Sequence, residues 1–320
     1  PYAELAAISS VSFEGKTLPE VYPSMAKRIS LTLGCEDEVI GSCDVVFASL
    51  PHGLSQETAA RCDRAGKLFI DLGADFRLES EEDYKEWYGG EFADKGLHHK
   101  AVYGIPELFR EEIRGKSLIA NPGCYPTSAA LGLAPLLKGR LIETNSIVID
   151  SKSGVTGAGR GLTQTTHFPD CNEAFSPYKV ASHRHTPEIE QTLSRLSGEK
   201  LTVTFVPHLL PINRGILSTI YASANKPLTL EELHALYLEF YKDEPFVRIM
   251  PAGEAVNVRN VRCSNYCDIS LHFDKRTGRA IVASVIDNMV KGAAGQAIQN
   301  MNLCRGLPET SGLEMIPPAF

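Results

Sequence analysis

Short apolar runs and helical segments alternate along the first third of the chain. Glu4-Leu5-Ala6-Ala7-Ile8-Ser9-Ser10 predicts a strand that ends in a small polar turn. Residues 43–50, Cys-Asp-Val-Val-Phe-Ala-Ser-Leu, predict a second strand running into Pro51-His52-Gly53, and residues 67–72 a third. Between the last two, residues 55–65 place small and apolar side chains on one helical face. Near-continuous apolar strands alternating with helices describe a parallel α/β sheet covered on both faces. Ligands in such sheets sit beyond the carboxyl ends of the strands. Those ends carry Ser9, Ser10, Ser49, Leu50, Pro51 and His52. No glycine-rich phosphate turn precedes Glu4. Two readings fit: a nucleotide domain whose first strand, phosphate loop and helix lie upstream, or an α/β domain that binds no nucleotide.

The pattern changes at Ile119-Ala120-Asn121-Pro122-Gly123-Cys124-Tyr125-Pro126-Thr127-Ser128, which leads into the apolar run 129–137. Pro126 suits a first helical turn, and Pro122-Gly123 makes a tight entry. Cys124 is therefore expected at a helix N-terminus, where unpaired N–H groups and the helix dipole favour a thiolate. A buried cysteine under a helix cap fits the same spacing. A nucleophilic thiol needs a proton acceptor, and His183-Arg184-His185-Thr186-Pro187-Glu188 offers one. Thr186 is expected as N-cap and Pro187 as the first helical residue, with His185 just ahead and Glu188 near enough to orient its imidazole. The strand 146–150 leads into Ser151-Lys152-Ser153-Gly154-Val155-Thr156-Gly157-Ala158-Gly159-Arg160. Its glycines bring backbone N–H groups close to an oxyanion, and a flexible turn fits equally. His208 and Arg214 are expected in one loop between strands, with Arg214 suited to a carboxylate or phosphate. The run from Asp287-Asn288 through Gly292-Ala293-Ala294-Gly295 allows close backbone approach.

Composition narrows the class. The 320 residues can bury a large core and predict two domains. With 43% hydrophobic and 22% charged residues, disorder, collagen and coiled coil are excluded. No apolar run approaches the ~20 residues of a membrane span. The net charge of −7 argues against a nucleic-acid partner. Eight scattered cysteines without CxxC spacing are unlike a disulfide scaffold. Cys263 and Cys267 lack a second pair or a nearby His, so no metal site is expected. Reduced thiols and a cytoplasmic location are expected instead.

Together these stretches resemble the semialdehyde dehydrogenase family, and within it the N-acetyl-γ-glutamyl-phosphate reductases. The resemblance rests on Leu50-Pro51-His52-Gly53, Ala74-Asp75-Phe76-Arg77, Asn121 to Thr127, the glycine loop to Arg160, His183 to Glu188, Pro207-His208-Leu209, Arg214-Gly215-Ile216 and Asp287 through Gln296. The cysteine and His-Arg-His-Thr-Pro-Glu motifs are specific in combination. The chain departs from the family in two places. The glycine-rich loop is absent, and Gly73 stands where the family carries Ser.

The resemblance implies a Rossmann-type NADP domain, residues 1–122 with 290–320, and an α+β catalytic and subunit-contact domain, residues 123–289. It implies NADPH-dependent reduction of an acyl phosphate to N-acetylglutamate semialdehyde in arginine biosynthesis, through a thioester on Cys124. His185 would be the acid/base, oriented by Glu188. Arg160 and Arg214 would hold substrate anions, with Arg77 a third, and Asn121, His183, His208, Ser153 and Gly154 would line the substrate site. Ser9, Ser10, Leu50, Pro51, His52 and Asn288 would touch NADP. A homo-oligomer, tetramer or dimer, is implied. Related aminoadipyl- or aspartyl-phosphate reductases, a cofactor-independent Cys/His hydrolase and a non-enzymatic module share parts of this pattern.

Overall fold

The computed structural model describes residues 2–319; Pro1 and Phe320 lie outside the described residues. In the first part of the chain, β3 (Val45–Ala48), β4 (Leu68–Asp71), β5 (Val102–Tyr103) and β6 (Leu118–Ala120) form a four-stranded sheet in the order β3-β4-β6-β5. Every pairing in it is parallel. β4 and β6 are buried along their whole length, as their unbroken apolar runs require. A separate parallel pair, β1 (Ile8–Ser9) and β2 (Leu33–Gly34), is much shorter than the apolar run from Glu4 predicts. Between β1 and β3 runs a cleft of about 980 Å³, lined by Ser9, Ser10, Phe47, Ser49 and Leu50 among others. The helix Ser55–Arg64 follows β3 as expected.

The second sheet has seven strands: β7 (Val148–Gly154), β8 (Ser176–Pro177), β9 (Thr204–Leu210), β10 (Ile216–Ser223), β11 (Val247–Ile249), β12 (Cys267–Asp274) and β13 (Arg279–Ile286). Their order is β11-β12-β13-β10-β7-β9-β8, antiparallel except for β11–β12 and β7–β9. The helix Cys124–Lys138 lies across this sheet. It is buried on every side from Tyr125 to Leu137, which an all-round apolar helix must be. Gly132 lets it press onto β10, because a methyl there would stand 2.8 Å from Ile220 Cδ1. Pro135 has no N–H for the Leu131 carbonyl. The Tyr241 hydroxyl donates to that carbonyl at 2.6 Å, and Tyr237 donates to Gly132 at 2.6 Å. Beneath the helix, the hydroxyls of Ser128, Ser151, Ser218 and Ser284 satisfy one another in a buried chain.

Three local expectations are corrected. The strand expected to stop at Asp150 runs on to Gly154, so Ser151, Lys152, Ser153 and Gly154 are ladder residues paired to both β9 and β10 (Ser151 to Ser153) or to β9 (Gly154). His208 also lies in a strand, β9, not a loop. In both places flanking partners extend the ladder past the local turn signals. His185, and not Thr186, occupies the cap position of the helix Thr186–Ser197. The final helix Gly295–Cys304 returns to the first sheet: Gln296 Nε2 and Asn300 Nδ2 both donate to the Gly104 carbonyl.

Candidate active site

The corner between β6 and the helix Cys124–Lys138 is fixed at nearly every polar atom. The Asn121 N–H donates to the Asp71 carbonyl at 2.9 Å, and the Asn121 carbonyl accepts Arg77 Nε at 2.9 Å. Its side chain donates to the Ala293 carbonyl and accepts from Asn300. Asn121, expected to touch substrate, is therefore spent on structure. The Gly123 N–H donates to Glu188 Oε1 at 2.7 Å. Cys124 opens the helix, partly exposed, with the Cys124 and Tyr125 N–H groups turned to its sulfur. Burial nevertheless pushes its thiol up to about 11, against the pull of Arg77 and those N–H groups. The resting thiol is protonated at neutral pH and needs a base.

A neutral imidazole packs on the preceding residue, Gly123. A methyl group on Gly123 would lie 2.7 Å from His185 Nε2 and 2.9 Å from Arg77 Nη1, so only glycine fits there. Burial, then the Arg77 charge, holds His185 well below the usual histidine range. His183 Nδ1 accepts the His185 N–H at 3.0 Å, and its ring stands edge-on to Tyr125, Tyr178 and Phe205. Burial and the neighbouring His185 bring His183 down to about 3. His185 Nδ1 is buried without a partner.

Glu188 does not orient His185. Its carboxylate takes Gly123 N–H, the Tyr103 hydroxyl at 2.8 Å and Arg77 Nη1 at 3.3 Å. A fully buried carboxylate is held where a cation and donors surround it, and these lie toward the first sheet.

The other wall comes from the end of β13. The buried Asp287 carboxylate accepts the N–H groups of Cys263, Met289 and Val290 and meets Arg214 Nη1 at 3.4 Å. A single π-helical turn, Val290–Ala294, follows, a feature that recurs at functional sites. A methyl on its Gly292 would stand 2.6 Å from Cys124 Cβ, so the turn packs directly against Cys124. Asn288 bridges the Gly215 N–H and Thr156 Oγ1.

The remaining candidates disperse. Gly154 admits no side chain, since a methyl would lie 2.7 Å from the Asn213 carbonyl oxygen, and Ser153 donates to the Gly154 carbonyl. His208 pairs with Asp150 at 3.1 Å. Strand alternation puts both on the face opposite Ser151 and Ser153, away from the cysteine helix. Arg160 lies over the Tyr22 ring and donates to its hydroxyl. Ser9, Ser10 and Leu50 line the cleft beside β3; Pro51, His52 and Asn288 do not. His52 pairs with Asp75 at 2.7 Å and packs against the stacked Tyr84 and Tyr88 rings. At Gly73 a methyl would stand 2.9 Å from Asp71 Oδ1, and burial raises Asp71 to about 6. Sequence reasoning missed Tyr103 and Asp287 and misjudged Arg77. Asp287 adjoins Asn288 and was within reach of the motif, whereas Tyr103 carries no local signal.

The chain matches two family models, the semialdehyde dehydrogenase NAD-binding domain over residues 1–116 and the semialdehyde dehydrogenase dimerisation domain over residues 124–288. It is 57% identical to a Brachyspira hyodysenteriae protein named N-acetyl-gamma-glutamyl-phosphate reductase, over 99% of this chain and 92% of that protein. It is 55% identical to a Clostridium beijerinckii protein of the same name, over 100% and 93%. Among solved structures it is similar in fold to aspartate semialdehyde dehydrogenase II from Vibrio cholerae, with a TM-score of 0.73, 16% identity and coverage of 96% and 91%. The Candida albicans aspartate semialdehyde dehydrogenase solved with NADP gives a TM-score of 0.67, 14% identity and coverage of 95% and 92%.

Proposed function

The chain belongs to the semialdehyde dehydrogenase family, in its N-acetyl-γ-glutamyl-phosphate reductase branch, and we propose that Cys124 and His185 carry that reduction through a thioester. The supporting observation is the neutral His185 imidazole packed on Gly123, one residue from Cys124 at a helix N-terminus. His185 takes the thiol proton. The thiolate attacks the γ-acyl carbon of N-acetyl-γ-glutamyl phosphate, an S–C bond forms, and the C–O bond to phosphate breaks. A thioester remains reducible to the aldehyde, which an oxygen ester would resist. The helix N-terminal N–H groups face the reacting centre and favour negative charge there.

NADP, when bound, supplies the hydride chemistry of the family. The cleft at the carboxyl ends of β1 and β3 suits it in place and size, with the Ser9 and Ser10 hydroxyls and the Leu50 backbone as contacts. We assign Pro51, His52 and Asn288 to the same role toward its nicotinamide end. Arg214 is the anchor for a substrate anion: it is 36% exposed, and its Nη1 meets Asp287 at 3.4 Å. Arg160, Asn121, His183, His208, Ser153 and Gly154 have weaker support, because each is engaged elsewhere.

Residues 1–122 with 290–320 serve as the nucleotide domain and 123–289 as the catalytic domain. The return of the final helix to Gly104 supports that division. The dimerisation-domain match supports a homo-oligomer, a dimer or tetramer. Eight free thiols suit the reducing cytoplasm. No helix among the described residues is long and apolar enough to cross a membrane.

The test is the reverse reaction, with N-acetylglutamate semialdehyde, NADP and phosphate, followed by nicotinamide absorbance. Phosphate-dependent NADPH formation, lost in Cys124→Ser, is expected. Activity only with a longer or unacetylated aldehyde would reassign the substrate, and activity surviving in Cys124→Ser would overturn the thioester.

A further inference from the structure

Two oppositely charged side chains, Arg77 and Glu188, are buried beside the nucleophile, and neither touches the imidazole by a hydrogen bond. We propose that Glu188 and Arg77 are positioning residues for Cys124, together clamping the Asn121-Pro122-Gly123 corner by its backbone. The inference rests on the reading of Cys124 as nucleophile.

The corner has few polar atoms to hold. Pro122 has no N–H, and the Asn121 N–H is already paired with Asp71. The Gly123 carbonyl is taken by Thr127. The Asn121 carbonyl and the Gly123 N–H are open to side chains from outside the corner. Arg77 Nε donates to the first, and Glu188 Oε1 accepts from the second. The two side chains then join each other through Arg77 Nη1 and Glu188 Oε2, closing a ring that includes the peptide backbone. Arg77 Nη2 is tied to the Leu72 carbonyl at 2.9 Å, and Glu188 Oε1 also receives the Tyr103 hydroxyl. Three other stretches of chain therefore fix one peptide corner: the segment after β4, β5 and the helix Thr186–Ser197. A structural ion pair alone would not need the fork of Arg77 spread over two backbone carbonyls and a carboxylate.

The clamp also balances charge. Arg77 favours the Cys124 thiolate and Glu188 opposes it. The other titratable groups around the thiol are His185, Tyr125 and Tyr178. The clamp's two charges pull the thiol in opposite directions and burial outweighs both, so the clamp fixes geometry without ionising the thiol, and proton removal is left to His185.

The test reads the thiol without substrate, alongside turnover. Alkylation of Cys124 by iodoacetamide, mapped by peptide mass spectrometry across pH, gives its ionisation midpoint. Glu188→Gln keeps an acceptor for the Gly123 N–H but removes the anion. Its midpoint is expected to fall by about one pH unit, as for a charge next to a titrating group. Arg77→Gln is expected to raise the midpoint by a similar amount. The double variant should return near the parent midpoint. Glu188→Asp keeps the charge but shortens the reach, so the midpoint should hold while turnover drops at least ~10-fold through misplacement of the nucleophile. Unmoved midpoints in the single variants, or full turnover in Glu188→Asp, would overturn the clamp. If Arg77→Gln does not fold, the two Glu188 variants decide the matter alone. Turnover that survives in Cys124→Ser would overturn the nucleophile reading itself, a failure distinct from that of the clamp.

Discussion

Two motif-bearing stretches of this chain meet opposite fates. The Asn121 to Cys124 corner has nearly all its polar atoms paired, and neither its own Gly123 nor the adjacent Gly292 has free room for a methyl group. The stretch from Val155 to Ser182 shows Leu162, Phe168, Phe175 and Val180 to solvent, and its Arg160 rests on the exposed Tyr22 ring. Both stretches are rich in glycine and polar residues. The difference lies in what surrounds them. Burial presses the polar atoms of the corner to find partners, and that requirement converts a sequence motif into a fixed geometry. The second stretch is tied at its two ends, through Thr156 and Tyr178, and between them its exposed side chains carry no such constraint.

Substitutions can break this comparison. The largest effect belongs to Cys124→Ser, which should cost on the order of 10⁴-fold or more in turnover, as loss of a nucleophile does, with NADP affinity unchanged in a fluorescence titration. His185→Asn should cost about 10²-fold, the usual worth of a general base; a larger loss in His183→Asn would move the base to the other histidine. Gly123→Ala should lose about 1–3 kcal/mol in urea unfolding through overpacking. Gly161→Ala, with open space around it, should stay within ~0.5 kcal/mol of the parent. Equal losses at the two glycines would erase the contrast between the regions. Arg214→Leu should raise KM about tenfold with kcat little changed, whereas Arg160→Leu should leave KM within about a factor of two, as befits an exposed cation over an aromatic ring.

The remaining prediction concerns pH. His183 has its pKa depressed to about 3, so the unfolded chain binds this proton more readily than the folded protein does. Its contribution to stability is complete above about pH 6.5, the ordinary histidine value, and is lost as pH falls from there toward 3. His185 has the same sign. A chemical-denaturation series from pH 7 to pH 4 should therefore show stability falling with acid, and less steeply in His183→Gln. An identical slope in that variant would refute the assignment.

The amino-acid sequence by itself determined the parallel sheet, the helix after β3, the cysteine at a helix start, the histidine ahead of another helix and the family. Each is local, because periodicity, a proline in a first turn or a contiguous motif is written within about ten residues. Tertiary structure decided the rest. It lengthened β7 and brought His208 into β9, because neighbouring strands supplied ladder partners that no local signal announces. Alternation then turned His208 away from the helix. Glu188 was read as the partner of His185, three positions away in sequence, and folding gave it instead to Gly123, Tyr103 and Arg77, distant in the chain. A buried carboxylate goes to the donors that can replace its water, and which donors those are is known only once the chain has closed around it.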